Sequence, residues 1–274
     1  MTIEQKVSQH YTHGSLETAI LEALAKSGKD IERLAVADLM HADEFHLGWR
    51  AATVEIGKAL KLTPQMRLLD VGSGIGGPAR YFGETSGCRV AGIDLTEEFV
   101  TVANSLTRRV GLSDRVTFKQ ASALSLPFNK AEFDAATLIH VGMNIADKAQ
   151  LFSEVRRVLK TGAVFGVYEV MRTGEAELPY PMPWAMTPET SFVETPDTYK
   201  RLLTAAGFTI ESETNRRDMV LELAAQMRED VARNGAPPVS LSLLMGPSGR
   251  ERLANVMSTL QAGTIAPVQI IARA

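Results

Sequence analysis

Three places in this chain have residue types and spacing that suit chemistry. Asp70 ends an apolar run and is followed by Gly72, Ser73 and Gly74 in LLDVGSGIGGPARYF. Asp94 ends the next such run, AGID, 24 residues further on. His140 closes a later run, FDAATLIHV, with Met143 and Asn144 just beyond it. A strand that feeds a glycine-rich turn opening a helix brings bare backbone up to a ligand. An acid ending the following strand can accept both hydroxyls of a ribose, and a hydrogen bond to a charged group contributes roughly 1.5–3 kcal/mol. The bland alternatives are a tight turn without a ligand, and an Asp94 that only caps the next helix. Thr96 is better placed for that capping, so the spacing points to an adenosine.

Gly72, Gly74 and Gly77 also satisfy GxGxxG, a weak signal that admits a nicotinamide dinucleotide. Three observations favour a ligand without phosphates. Asp70 directly before the loop repels a doubly negative pyrophosphate at the helix start and suits an ammonium group. Some sixty-five residues precede the first strand, whereas dinucleotide folds commonly begin with it. No Tyr is followed four positions later by Lys, so the common short-chain reductase pair is missing. S-adenosylmethionine, with an adenosine, a cationic amino-acid tail and no phosphate, fits better.

The elements around these residues alternate. Strand-like runs start at MRLLDV, RVAGIDL, VTFKQAS, FDAATLIHV and AVFGVYEV, and helical patterns lie between them. Glu97 and Glu98 suit the first turn of EEFVTVANSLTRR behind Thr96. Asp147 and Gln150 are spaced as in a capping box ahead of LFSEVRRVL. Alternation of this kind gives parallel strands with crossover helices on both faces. Thr195, Pro196 and Gly207 bracket a helix, FTIESETN reads as a strand, and APVQIIARA as a final one. The proline-rich LPYPMPWAMTP reads as an irregular loop. We expect a helical lid over 1–60, a core over 61–216, a helical insertion over 217–262 and a last core strand over 263–274.

Bulk composition sets limits. The 274 residues are 45% hydrophobic and 22% charged, with a net charge of −3. These are the values of a globular chain and leave no basic surface for nucleic acid or anionic membrane. A lone Cys88 predicts a reducing compartment, and no run is apolar enough for a signal peptide or a membrane span. The expectation is a cytoplasmic protein whose partner is a small molecule, with no nucleic acid and no membrane; the oligomeric state is unread.

The succession LLDVGSGIGGPARYF, GIDL, LSLPF, FDAATLIHV and LKTGAVF resembles the motifs of the S-adenosylmethionine-dependent methyltransferases, closely over residues 66 to about 170. DEFHLGWR, HVGMNIADK and VQIIARA resemble more narrowly a bacterial group akin to sarcosine and dimethylglycine methyltransferases. The resemblance implies an α/β fold, Rossmann-like and doubly wound, with a seven-stranded, mostly parallel sheet and an antiparallel last strand. It implies that Gly72, Ser73 and Gly74 line the methionine part of S-adenosylmethionine, with Asp70 on its cationic side. Asp94 then holds the ribose, Leu95 lies against the adenine, and Ser122 and Ala123 meet the adenine edge. His140 lies beside the sulfonium and the incoming acceptor. Departures are Ala121-Ser122-Ala123 where Gly-Asp-Ala is common, Lys160-Thr161-Gly162-Ala163 where Lys-Pro-Gly-Gly is common, and Trp49 where relatives often have Gly. Trp49 there either narrows the acceptor site or packs the lid, and we favour packing.

Methyl transfer from a sulfonium needs alignment in a dry pocket, which supplies about 7–11 kcal/mol. A base is needed only where the acceptor loses a proton. His140 is the catalytic candidate, with an equal reading in which it holds backbone. Tyr11, His46, Met143, Asn144 and Trp184 are candidates on the acceptor side; each reads equally as packing, and His46 better as a tie between helices. His10/His13 and His41/His46 lack a third ligand at metal spacing, so no metal is expected. The function is then S-adenosylmethionine-dependent methylation of a small molecule, at nitrogen, oxygen or carbon. The alternatives are a nicotinamide-dependent oxidoreductase and a catalytically silent S-adenosylmethionine-binding protein. Replacing Asp94 by Ala is expected to weaken S-adenosylhomocysteine binding more than about tenfold by calorimetry. Equal affinities in mutant and wild type would take the ribose role from Asp94.

Overall fold

A computed structural model describes residues 1–12, 14–237 and 245–274. His13 and the Pro238-Val239 end of the Pro-Pro word lie outside the described residues. Four helices come first: α1 (Ile3–Tyr11), α2 (Leu16–Lys26), the single-turn α3 (Val36–Leu39) and α4 (Trp49–Leu60). Then strands and helices alternate through β1 (Arg67–Val71), α5 (Gly77–Ser86), β2 (Arg89–Asp94), α6 (Glu97–Arg109), β3 (Val116–Gln120), β4 (Phe133–Ile139), α7 (Lys148–Val158) and β5 (Leu159–Arg172). The chain closes with α8 (Pro196–Ala205), β6 (Thr209–Asn215), α9 (Arg217–Asn234), α10 (Gly249–Gln261) and β7 (Ile265–Arg273).

The seven strands lie in the order β3-β2-β1-β4-β5-β7-β6. β7 runs antiparallel to both its neighbours and all other pairings are parallel. The expected mixed sheet is therefore present, with the reversed strand inserted second from the edge. Adjacent residues serve opposite faces: Leu69 and Ala136 join the cluster under α7 and α8, whereas Leu68 and Ala135 join that under α4 and α5. Burial on both faces is why these strands read as unbroken apolar runs.

Strand order reverses between β1 and β4, and the loops leaving their carboxyl ends diverge there. Such a switch point leaves a crevice for a ligand. α1 falls within the segment expected to be a helical lid, and Thr2 and Gln5 form a reciprocal capping box at its start. Thr96 stands at the N-cap of α6, though its hydroxyl makes no cap bond, and Asp94 accepts the Thr96 amide at 2.9 Å. At α7, Asp147 accepts the Gln150 amide at 2.9 Å, but the Gln150 side chain donates to the Leu124 carbonyl and leaves the box half made.

Beneath the glycine loop lies a buried ion pair, in which Arg80 donates to Asp43 at 2.9 Å and to the Ile75 carbonyl at 2.7 Å. This ties α5 to the segment before α4. A Cβ at Gly77 would stand 2.0 Å from the Asp43 carbonyl oxygen, so the two backbones touch. Gly77→Ala is expected to lower stability by about 1–3 kcal/mol, because backbone rather than a flexible side chain must give way. A urea midpoint equal to that of the wild type would contradict this contact.

Candidate functional site

A cavity of about 360 Å³ opens at the switch point, bordered by Asp70, Gly72, Ser73, Gly74, Asp94 and Leu95. Gly72 has φ +71, and a Cβ there would lie 2.3 Å from Val141 of the loop after β4. The β1 loop needs glycine here for its left-handed turn and because its neighbouring loop presses on it.

Asp70 is buried and accepts from the Thr137 hydroxyl at 2.7 Å, across the pairing of Asp70 with Thr137. Its Oδ2 has no partner, and neither does the buried Ser73 hydroxyl. Burial pushes the Asp70 carboxyl up to about 6, with the Asp94 charge adding and the Thr137 hydrogen bond opposing. Orphaned buried polar atoms beside one another in a cavity await a polar partner. For an acid held at a raised value, that partner is a cation.

Asp94 is half-buried. One oxygen accepts from the Gly74 amide at 2.9 Å and the other from Thr96. Each keeps a lone pair, so the diol role and the helix-capping role coexist. Gly74 therefore donates to Asp94 and not to a ligand. Burial raises this carboxyl too, against the hydrogen bonds from Thr96 and Gly74.

Leu95, Phe99, Ala121, Ala123 and Leu124 form an apolar end of the cavity, suited to a flat ring. Ser122 does not border it: its hydroxyl donates to Glu4 Oε1 and accepts from the Leu124 amide at 3.1 Å. Its hydroxyl anchors Glu4, which does border the cavity. Glu4 comes from a helix 118 residues away in sequence, so no local pattern could announce it.

A second cavity of about 500 Å³ shares Tyr11, Phe45, His46 and His140 with the first. Tyr11 donates to Asn144 Oδ1 at 3.0 Å, Asn144 Nδ2 donates to the Trp184 carbonyl at 2.7 Å, and Trp184 Nε1 donates to Ser191 Oγ at 2.9 Å. Three expected acceptor-side residues thus form one chain of hydrogen bonds along the boundary. Met143 and Trp184 border the second cavity and Asn144 the first. Trp49, read above as packing, borders the second cavity. So do α9 and α10 through Met227 and Val256, whose roles no motif signalled.

His140 sits at φ +54 and both its nitrogens meet backbone. Nδ1 lies 3.1 Å from the Tyr168 carbonyl, and Nε2 accepts from the Leu47 amide at 3.2 Å. Burial lowers it to about 4, so it is a neutral imidazole whose two hydrogen bonds are already spent. Of the two readings the sequence left equal, this geometry matches the one in which His140 holds backbone. His46 is buried with Nε2 at 3.0 Å from the Trp49 carbonyl, which fastens the loop to the start of α4, and it also borders both cavities. Among the described residues no group of three His, Cys, Asp or Glu is placed to hold a metal, and no helix is long and apolar enough to cross a membrane.

Residues 69–167 match a family described as "Methyltransferase domain". A sterol 24-C-methyltransferase of Gibberella zeae is 39% identical over 112 residues, which cover 41% of this chain and 30% of that one. The chain thus spans less than a third of the length of that curated relative. The crystal structure of the [4+2]-cyclase SpnF superposes with TM-score 0.66 at 25% identity, covering 100% of this chain and 97% of the other. A protein described as a sarcosine dimethylglycine methyltransferase, from Galdieria sulphuraria, gives TM-score 0.62 at 18% identity, over 81% of this chain and 84% of that one. The segment from β1 to β5 is therefore a methyltransferase domain, and the fold is shared along the whole chain.

Under β4, Glu169 is fully buried. Its Oε1 accepts from the Val141 and Gly142 amides at 2.8 and 3.0 Å, and its Oε2 is unpartnered, as is the Tyr199 hydroxyl. Burial raises Glu169 to about 7 against those hydrogen bonds and the Lys148 charge. The unfolded chain loses this proton near pH 4 and the folded chain only near 7, so stability drains as pH climbs through that window. Glu169→Gln is expected to raise the melting temperature at pH 8, by an amount corresponding to about 2 kcal/mol, and to do so much less at pH 4. An equal effect at both pH values would show that folding does not shift the Glu169 proton equilibrium.

Proposed function

We propose, from the premise that residues 69–167 are a methyltransferase domain, that the chain transfers a methyl group from S-adenosylmethionine to an apolar small molecule. The fold alone does not decide the reaction, since a cyclase shares it. One observation carries the reading: the unpartnered Asp70 Oδ2 and Ser73 Oγ lie in one cavity with the Asp94 carboxylate. That arrangement suits an ammonium group at one end and a ribose at the other, and two carboxylates oppose a pyrophosphate. The apolar end at Leu95 and Ala123 takes the purine.

S-adenosylmethionine, when bound, supplies a methyl group on a sulfonium. The chain's own residues bind and orient. Asp70 and Asp94 fix the two polar ends, and Tyr11, hydrogen-bonded to Asn144, covers the boundary between the cavities. Ile3, Val7 and Tyr11 of α1 exclude water from above. Exclusion and alignment are what this displacement needs, and the burial seen here provides both.

The acceptor class follows from the second cavity. Its walls are mostly Leu, Val, Met and Trp side chains, with Tyr11, His46, His140 and Arg228 as the polar members, and no carboxylate borders it among the described residues. A small charged amine would be desolvated there without a counter-ion, at a cost that an apolar molecule avoids. The sterol enzyme among the relatives agrees with an acceptor of this character. The single Cys88, buried and free, fits a reducing compartment such as the cytoplasm.

Isothermal titration is expected to show micromolar binding of S-adenosylhomocysteine and none of NADH. Tight NADH binding with no response to S-adenosylhomocysteine would overturn the reading in favour of an oxidoreductase.

A further inference from the structure

Four titratable residues border the acceptor cavity: Tyr11, His46, His140 and Arg228. Three of them are not free to take up a proton. The Tyr11 hydroxyl donates to Asn144 and burial holds its proton on. His140 has a backbone partner at each ring nitrogen. Arg228 is a cation without acceptor capacity.

His46 differs. Its Nε2 faces the Trp49 carbonyl at 3.0 Å, the Thr53 hydroxyl at 3.2 Å and Glu44 Oε2 at 3.4 Å. The Thr53 hydroxyl itself donates to Glu44 at 2.6 Å, so a proton on Nε2 is the one arrangement that satisfies the Trp49 carbonyl and the Thr53 oxygen together. The neutral ring then has its lone pair on Nδ1, which has no hydrogen-bond partner among the described residues, and the ring borders both cavities. Its tie to the segment 44–53 holds the ring in place against His140 and Tyr168, at centroid distances of 5.9 and 6.1 Å.

Resting on the methyltransferase reading, we propose that His46 Nδ1 is the general base of the reaction and that the acceptor atom is a hydroxyl oxygen. The acceptor oxygen forms its bond to the methyl carbon as the carbon–sulfur bond breaks with its electron pair staying on sulfur. The hydroxyl proton passes to Nδ1, and the resulting imidazolium keeps its Nε2–H on the Trp49 carbonyl until product leaves and water takes the proton.

Burial, the neighbouring His140 and Arg50 lower His46 to about 3, against the Trp49 hydrogen bond. A base that weak suits an oxygen that turns strongly acidic only as the methyl group arrives. It cannot strip an alkylammonium, whose proton is held near pH 10. The same geometry thus separates hydroxyl from amine acceptors.

The test uses the full chain labelled with ¹⁵N, with 4-butylphenol as probe in the presence of S-adenosylhomocysteine. Long-range proton–nitrogen spectra are expected to show His46 protonated on Nε2 with a bare Nδ1. The phenol should then move Nδ1 upfield and leave both His140 nitrogens unchanged. With S-adenosylmethionine and the phenol, His46→Gln is expected to cut S-adenosylhomocysteine release by about 10²-fold or more. Its calorimetric affinity for S-adenosylhomocysteine should stay within a few-fold of wild type. A proton on Nδ1, an Nδ1 that ignores the phenol, or undiminished release in His46→Gln would overturn the proposal. If wild type fails to bind S-adenosylhomocysteine, the methyltransferase reading falls as well; normal binding with a silent Nδ1 removes only the base.

Discussion

Everything in the site depends on how β1 and β4 end side by side. Asp70 and Thr137 are paired across the two strands and joined by a hydrogen bond, and one step later Gly72 lies against Val141. That contact leaves no room for a side chain, so the two loops must turn away from each other and the crevice opens between them. The same register buries Asp70 with one oxygen unmet. The cost of that orphaned carboxylate is tolerable only if something fills its place during function. Stability is given up at the strand ends so that a cation can be bound there.

A second layer converts the crevice into two chambers. α1 lies over the first, held by Glu4 to Ser122 and by Tyr11 to Asn144. The segment 43–53 forms the wall that the chambers share. It is anchored on one side by Arg80 and Asp43, and on the other by the Tyr168 hydroxyl, which donates to the Leu47 carbonyl at 2.8 Å. His140 accepts the Leu47 amide and completes this clamp. Its left-handed backbone fits a residue used to hold a loop in place. The cluster of Glu44, Asp43, Arg50 and Arg80 balances two acids against two guanidinium groups. Burial and the Asp43 charge still push the Glu44 carboxyl up to about 8.

The sheet was legible because its signal is local. Doubly buried strands read as apolar runs, and Gly72 to Gly77 after Asp70 marked the first turn. Asp94 was legible for the same reason, one strand further on. What could not be read depends on contacts distant in sequence. Glu4 reaches Ser122; that 217–262 caps the acceptor side was read from its length, but not which side chains of α9 and α10 face the chamber. His140 was found as a site residue from its place at a strand end, but the Leu47 and Tyr168 groups that occupy its nitrogens come from other segments. Thr96 does stand at the N-cap of α6, as read, but its hydroxyl makes no cap hydrogen bond. The capping box of Thr2 and Gln5 was in the sequence, and a reading of 1–12 as helix was available from it.

The central claim is that the Asp70 carboxylate receives a ligand's ammonium group, and a direct measurement is the ¹³C titration of that carboxyl with and without S-adenosylhomocysteine. In the free protein it is expected to titrate near 6, where burial holds it. With the nucleoside bound, an adjacent cation favours the ionised form and the midpoint should fall well below that value. An Asp70 titration unchanged by saturating S-adenosylhomocysteine would contradict the account.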